Sequence, residues 1–257
     1  MKPLRSIAAN AVALLLFTLA WHATTLVVRS PFYPKPLDVL KAFCKLALEG
    51  DIEGYSLGLH IGVSLLRVIS GFLFACATGI PLGLAMGLYR PAYESTRSII
   101  EPVRFIPPIA WIPLAIVLLR GFSRYVFLIW LGAFFPVFIN TLASIHRVSQ
   151  VHVELAKVFG GDRSFILAKV VIPSIMPEVL AGMRIGLGVG WMCIVAAEMI
   201  GGEMVGLGSL ILKYAELLRV PEVICGMVVI GVVGLLMNEL FLAAERRLFK
   251  WRREVVV

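Results

Sequence analysis

Apolar residues run along this chain of 257 in long blocks, and polar residues collect in the short gaps between them. A helix needs about 20 consecutive apolar residues to cross the hydrocarbon layer of a bilayer. Six stretches reach that length: 7–28, 60–89, 98–119, 125–145, 179–199 and 222–248. The second and sixth exceed it, which predicts tilt or extension beyond the bilayer. Alternating strands of the kind that build a membrane barrel do not occur, and within lipid every backbone polar group must be bonded internally. The expected fold class is therefore all-α, a polytopic membrane protein with six transmembrane helices. Residues 1–56 read as an N-terminal transmembrane anchor followed by an extracytoplasmic amphipathic segment. Residues 57–257 read as a core of five spans, interrupted by a polar loop at about 146–177.

Finer patterning gives individual elements a character. After the first span, Pro31, Pro34 and Pro36 mark a loop, and residues 37–48 then show helical periodicity with Lys41 and Lys45 on the polar side, as in a surface helix. In the second span Gly71, Ala75, Gly79, Gly83 and Gly87 recur every four residues, and Gly182, Gly186 and Gly190 repeat the device in the fifth. Such smooth stripes let another helix approach closely. Pro102, Pro107, Pro108 and Pro113 should interrupt the third span, and interrupted spans are tolerated beside protein or a wet path. Between Ser149 and Phe165 the chain is too polar for a span. There a short helix is expected with Glu154 in its first turn, favoured by the helix dipole, and with Gly160 and Gly161 ending it. Leu155, Val158 and Phe159 form one apolar face on that helix, which is too short to have a core of its own. An exposed apolar face with polar flanks fits a groove on another protein. Pro173 is expected to terminate the next helical stretch before the fifth span. The loop holding Gly206, Leu207 and Gly208 leads into an apolar run to Leu217, either a re-entrant or a surface helix.

Composition agrees with a membrane protein. Hydrophobic residues make up 60% of the chain and charged ones 16%, with mean hydropathy +0.92, outside the range of soluble domains. The net charge of +8 does not indicate nucleic acid. Lys2, Arg5, Arg90, Arg97, Arg147, Lys157, Arg163, Lys169, Arg246, Arg247, Lys250, Arg252 and Arg253 all fall on one side if both termini are cytoplasmic, the positive-inside pattern. The basic tail then faces anionic lipid headgroups. The first span stays apolar to Val28 without a convincing cleavage site and reads as a retained anchor. Cys44, Cys76, Cys193 and Cys225 are widely spaced and read as small buried hydrophobes rather than a disulfide framework or zinc site.

No catalytic chemistry is visible. No Lys is followed by Ser or Thr, so the phosphate-binding G-x-x-x-x-G-K-[ST] loop is missing and the chain has no ATPase site. His22, His60, His146 and His152 lack metal-ligand spacing and acidic companions. Within the spans Arg67, Arg104, Arg184, Glu198 and Glu239 are costly ionisable groups that require a partner or a wet cavity. Arg184 and Glu198 lie too far apart on one helix to pair with each other. An anion path favours an exposed Arg, whereas Arg67 and Arg104 are also suited to bracing neighbouring helices or reaching headgroups.

The polar loop carries a resemblance. Glu154, Ala156, Gly160 and Pro173 match, at the same spacing, the framework E-A-A-x3-G-x9-I-x-L-P of ABC importer permeases, with Leu155, Val170 and Ile172 as conservative departures. Pro107-Pro108-Ile109-Ala110-Trp111-Ile112-Pro113, Phe135-Pro136, Asn140-Thr141, Gly182-Met183-Arg184, Trp191, Ala197-Glu198-Met199 and Gly206-Leu207-Gly208 resemble the nitrate, sulfonate and taurine branch of that family. The similarity runs from about residue 64 to 238. The resemblance implies that Glu154, Leu155, Ala156, Val158, Phe159, Gly160, Gly161 and Asp162 form the loop received by a cytoplasmic ATPase, with Pro173 closing the motif. It implies no cofactor in this chain, with ATP and Mg bound by the ATPase. The partners it implies are a second copy of the chain, two ATPase subunits and an external solute-binding protein, in the bacterial inner membrane. The solute would be a small anion such as a sulfonate, taurine or nitrate, and Asn140, Thr141, Arg184, Trp191 and Glu198 are candidates for its path. Permeases for a vitamin precursor or an aromatic acid are the nearest rivals. A secondary transporter would favour an inverted repeat and paired intramembrane carboxylates, and a membrane enzyme would need clustered reactive groups; neither pattern is present.

Overall fold

The computed structural model describes residues 2–28, 30 and 32–248, with the side chains of residues 2–8 and 90 left aside. Pro31, Lys250, Arg252 and Arg253 lie outside the described residues, as do the side chains of Lys2, Arg5 and Arg90. Every regular element among the described residues is helical: α1 (Lys2–Val28), α2 (Pro36–Leu48), α3 (Leu57–Leu88), α4 (Arg90–Arg104), α5 (Ile112–Leu118), α6 (Phe122–His146), α7 (Gln150–Val158), α8 (Arg163–Ile166), α9 (Ile172–Ile200), α10 (Leu207–Glu216) and α11 (Val220–Leu248). Among the described residues five helices are long and apolar enough to cross a membrane, or six if the bent pair of α4 and the segment that ends in α5 is taken as one span. The described residues group into two compact units, one from 2–62 with 203–232 and one from 63–202 with 233–248.

In the first unit α2 is amphipathic as its periodicity predicts. Pro36 occupies the first turn, where its missing N–H costs nothing, and the Lys35 N–H donates to the Asp38 carboxylate at 3.2 Å. Val39, Ala42 and Leu46, three and four apart, are its buried side. Cys44 is exposed on the opposite side, which corrects the expectation of a buried thiol, because position 44 falls outside that three-and-four spacing. The first turn of α10 is enclosed, with Leu207 and Leu210 fully buried, so this helix is packed within its unit rather than laid on a surface. An ionic cluster holds it there. Asp51 Oδ1 accepts from the N–H groups of Glu53 and Tyr55, both at 2.9 Å, and Asp51 Oδ2 accepts from Lys213 Nζ of α10 at 2.8 Å. Lys213 also reaches Glu53 at 2.6 Å. Burial acts to raise the Asp51 pKa, but the Lys213 hydrogen bond and the two backbone donors outweigh it and leave the carboxyl below its ordinary value. Lys213 also loses solvation, and its two carboxylate partners still leave its pKa raised. His60, fully buried, accepts the Gly206 N–H at Nδ1 (3.0 Å) and turns Nε2 towards Asp51 at 3.4 Å.

The second unit is built around α6. The small-residue stripe of α3 lies directly on it: a Cβ at Gly71 would fall 2.5 Å from Ile129, at Gly83 2.8 Å from Thr141 and at Gly87 2.4 Å from Ile145. The stripe of α9 lies on it as well, with a Cβ at Gly182 meeting Asn140 at 2.6 Å and one at Gly186 meeting the Ala133 carbonyl at 2.9 Å. Without side chains on these positions, backbones approach closely and gain dispersion contact that lipid does not supply. Val137, Ile129 and Phe138, caught between the stripes, are among the most buried residues.

Two expectations are corrected here. The third span is not one rod over 98–119. Helix α4 stops at Arg104, residues Phe105–Pro107 leave the helix, and the chain resumes as a short 3-10 turn (Pro108–Trp111) and α5, the two halves being bent by 86°. Consecutive prolines at 107 and 108 remove two donors and push the preceding residues out of the α region. Pro173, by contrast, terminates nothing. Residues 163–200 form one helix of 38 residues, with a π-helical turn at Leu167–Val171 in which the Ile172 N–H bonds back five residues to the Leu167 carbonyl. The widened turn shifts the ladder by one position just ahead of the proline ring, so the ring is accommodated without a break.

Candidate functional site

The polar loop after α6 presents α7 with no buried residue. Leu155 is 53% exposed, and Val158 and Phe159 are each 82% exposed, so three apolar side chains project from this nine-residue helix and its C-cap residue Phe159. Ala156 is half-buried and Glu154 exposed. The helix starts at Gln150, with Ser149 as its N-cap. Glu154 is thus in the second turn, a correction to the first-turn expectation. Ser149 stands at the N-cap in extended backbone, without a side-chain capping hydrogen bond, and the helix starts there, one turn earlier than a dipole argument from Glu154 suggests. Gly160 ends the helix at φ +79°, where a glycine is free of the left-handed penalty. Gly161 is needed for space, since a Cβ there would meet the Ala156 carbonyl at 2.8 Å. Asp162 then caps α8 by accepting the Phe165 N–H at 2.8 Å. The loop therefore passes within four residues from an exposed apolar helix into the 38-residue helix that carries the α9 glycine stripe.

The break in the third span lines a cavity of ≈380 Å³. Arg104, Phe105 and Pro108 form one wall, Phe135, Ile139 and Asn140 of α6 another, and Ile185 and Val189 of α9 a third. That volume is in the range of small-molecule sites, and the wall is apolar apart from Arg104 and Asn140. The Arg104 guanidinium lies 3.0 Å from Glu101 and 4.7 Å from the Phe105 ring. Asn140 donates to the Pro136 carbonyl at 2.8 Å.

The remaining predicted path residues separate. Thr141 is buried under Gly83 and donates to the Val137 carbonyl at 2.8 Å. Arg184 and Trp191 lie on another face of α9, beside Gly234 and Asn238 at a crevice of only ≈50 Å³. Glu198 is fully buried and accepts from Arg67 at 2.8 Å and from Ser64 at 2.8 and 2.9 Å. Arg67 also lies 4.2 Å from the Tyr125 ring centroid. The sequence flags Arg67 and Glu198 singly as intramembrane charges. Their pairing, with Ser64 one turn before Arg67 on the same helix, needs α3 and α9 to be brought together, and the two matching small-residue stripes are the signal that does so. Asp51, His60 and Lys213 carry no sequence signal, being unremarkable polar residues in or near loops.

Several long apolar spans, an interrupted segment that lines a cavity and an exposed apolar helix held on a polar loop mark a multi-pass membrane protein. Its family follows from comparison with known proteins. The chain belongs to the family described as binding-protein-dependent transport system inner membrane component, whose model matches residues 79–254. It is 36% identical to the taurine transport system permease protein of Escherichia coli over 93% of this chain and 88% of that protein. A putative aliphatic sulfonates transport permease protein of Bacillus subtilis is 32% identical over 88% of this chain and 80% of its own length. The nitrate import permease protein of Synechocystis is 33% identical over 80% and 76%. The chain is an ABC transporter permease of this branch and a transport subunit rather than an enzyme.

Proposed function

We propose that this chain is the membrane-spanning subunit of an ATP-driven importer, and that it translocates a small anionic solute delivered by an external solute-binding protein. It works as a pair of copies with two ATPase subunits, which bind the ATP and Mg, in the bacterial cytoplasmic membrane with both termini inside. Charge distribution supports that orientation, because it places the basic loop of Lys157, Arg163 and Lys169 in the cytoplasm. The single observation that carries the reading is the apolar face of Leu155, Val158 and Phe159 left in the open on α7. Exposed apolar side chains on so short a helix favour insertion into a partner's groove. Movement of the partner then reaches the membrane through α8 and α9, a helix of roughly 57 Å at 1.5 Å per residue. The anionic class is supported by the names of the related taurine, sulfonate and nitrate permeases.

The test is co-purification in mild detergent with the genomic neighbours co-expressed, comparing wild type with Val158→Asp and Phe159→Glu. Both positions are 82% exposed, so neither change disturbs the fold of this chain. The expected result is an ATPase bound to wild type and lost from both variants at equal membrane abundance. Retention of the ATPase by both variants, or uptake by wild type without any ATPase, refutes the reading.

A further inference from the structure

We propose that the cavity at the break of the third span is the point at which the solute's charge is read in transit, with Arg104 as the selecting cation and Glu101 as the group that keeps its hold weak. The proposal rests on the importer reading above and names the part of the chain that recognises the anion. Irregular backbone at membrane depth persists only where protein or a water-filled space satisfies it, and the non-helical residues Phe105–Pro107 sit at the ≈380 Å³ cavity. Apart from Asn140, its polar lining is Arg104, whose side chain is 30% exposed. A guanidinium offers five donors in a planar fork, more than one carboxylate can use, so Glu101 at 3.0 Å leaves donors for an incoming sulfonate or nitrate oxygen. The amide of Asn140 stands across the cavity on α6. A fully unpaired Arg would trap an anion, and conduction requires a site that binds and releases; the neighbouring carboxylate supplies the competition. Arg184 is exposed on another face of α9, outside this cavity, and Arg67 is engaged by Glu198. Of the three, Arg104 is the one that lines the cavity at the break.

The test uses the full chain in membrane vesicles with its partners, after replacement of Cys44, Cys76, Cys193 and Cys225 by Ala or Ser. A reporter thiol is placed in the cavity wall by Ile139→Cys. Its reaction rate is measured with two reagents that share one reactive group, the anionic sulfonatoethyl methanethiosulfonate and the cationic trimethylammonioethyl methanethiosulfonate. The expected anion-to-cation rate ratio falls by about five-fold or more when Arg104→Gln is added. It is retained with Arg104→Lys, which separates charge from folding, and rises with Glu101→Gln. A ratio unchanged by Arg104→Gln overturns the proposal. The ratio reports the cavity whether or not an ATPase is attached, so failure here is distinguishable from failure of the importer reading, which the co-purification decides.

Discussion

Replacing Arg67 by Met strands the Glu198 carboxylate in the interior of the second unit, and the cost follows from the geometry. The Arg67–Glu198 pair is separated by 2.8 Å, with side chains 8% and 0% exposed, so solvent screens it little. Removing one partner of such a pair costs about 3–5 kcal/mol, because the remaining charge is left without compensation. Ser64 still donates to Glu198 in this variant, and its hydrogen bond to a charged acceptor is worth about 1.5–3 kcal/mol, which places the expected loss at the lower end, about 3 kcal/mol. At about 2–4 °C per kcal/mol for a chain of this size, the transition in detergent falls by roughly 6–12 °C. The assay is thermal denaturation of purified protein followed by reaction of Cys76 and Cys193, both partly buried, with a thiol-reactive dye. The double variant Arg67→Met with Glu198→Leu removes both charges, and replacing a buried pair by apolar residues of similar size is often neutral. It is therefore expected to recover most of the loss. A single variant within 2 °C of wild type, or a double variant as unstable as the sum of the singles, refutes the bracing role.

Other expectations follow from separate parts of the molecule. Gly83→Val forces a side chain into Thr141 and the Phe138 carbonyl, which would lie 2.8 and 2.9 Å from its Cβ; overpacking of about 1–3 kcal/mol should lower membrane abundance, whereas Gly188→Ala, with open space around it, should not. At Gly160, φ +79° costs an ordinary L-residue about 1–2 kcal/mol but Asn less, so Gly160→Asn should keep uptake and Gly160→Glu should lose it while still inserting. The Asp51–Lys213 latch has a defined pH window. The lowered Asp51 pKa gives stability present above the ordinary value of 3.8 and lost as pH falls through the folded value. The raised Lys213 pKa gives stability present below 10.5 and lost as pH rises through its own folded value. The stability difference between wild type and Lys213→Met, measured by thermal denaturation, should accordingly be flat between these values and shrink outside them.

Much of this was legible in the chain itself. Helical spans follow from apolar length because lipid offers no partner to a backbone N–H. The α7 loop follows from a local cluster of polar residues ended by Gly160, and its apolar face from spacing at three and four; each depends only on neighbours within a few residues. The departures are local as well. Glu154 falls in the second turn because α7 begins at Gln150, and Pro173 stops no helix because the π-helical turn at Leu167–Val171, which no residue pattern displays, absorbs it.

What the sequence determined by itself is the class of the protein, the identity of its loop and the smoothness of two helix faces. What only the tertiary structure decided is which polar groups meet. Arg67 and Glu198 are 131 residues apart and Asp51 and Lys213 162 apart, and no periodicity encodes such pairings, since they arise when close helix packing on α6, or closure of the first unit, brings distant polar groups together. The same packing sorted Arg104 and Asn140 into a cavity and turned Arg184 and Trp191 away from it, because adjacent positions on a helix point in different directions and only the arrangement of its neighbours tells which direction is open.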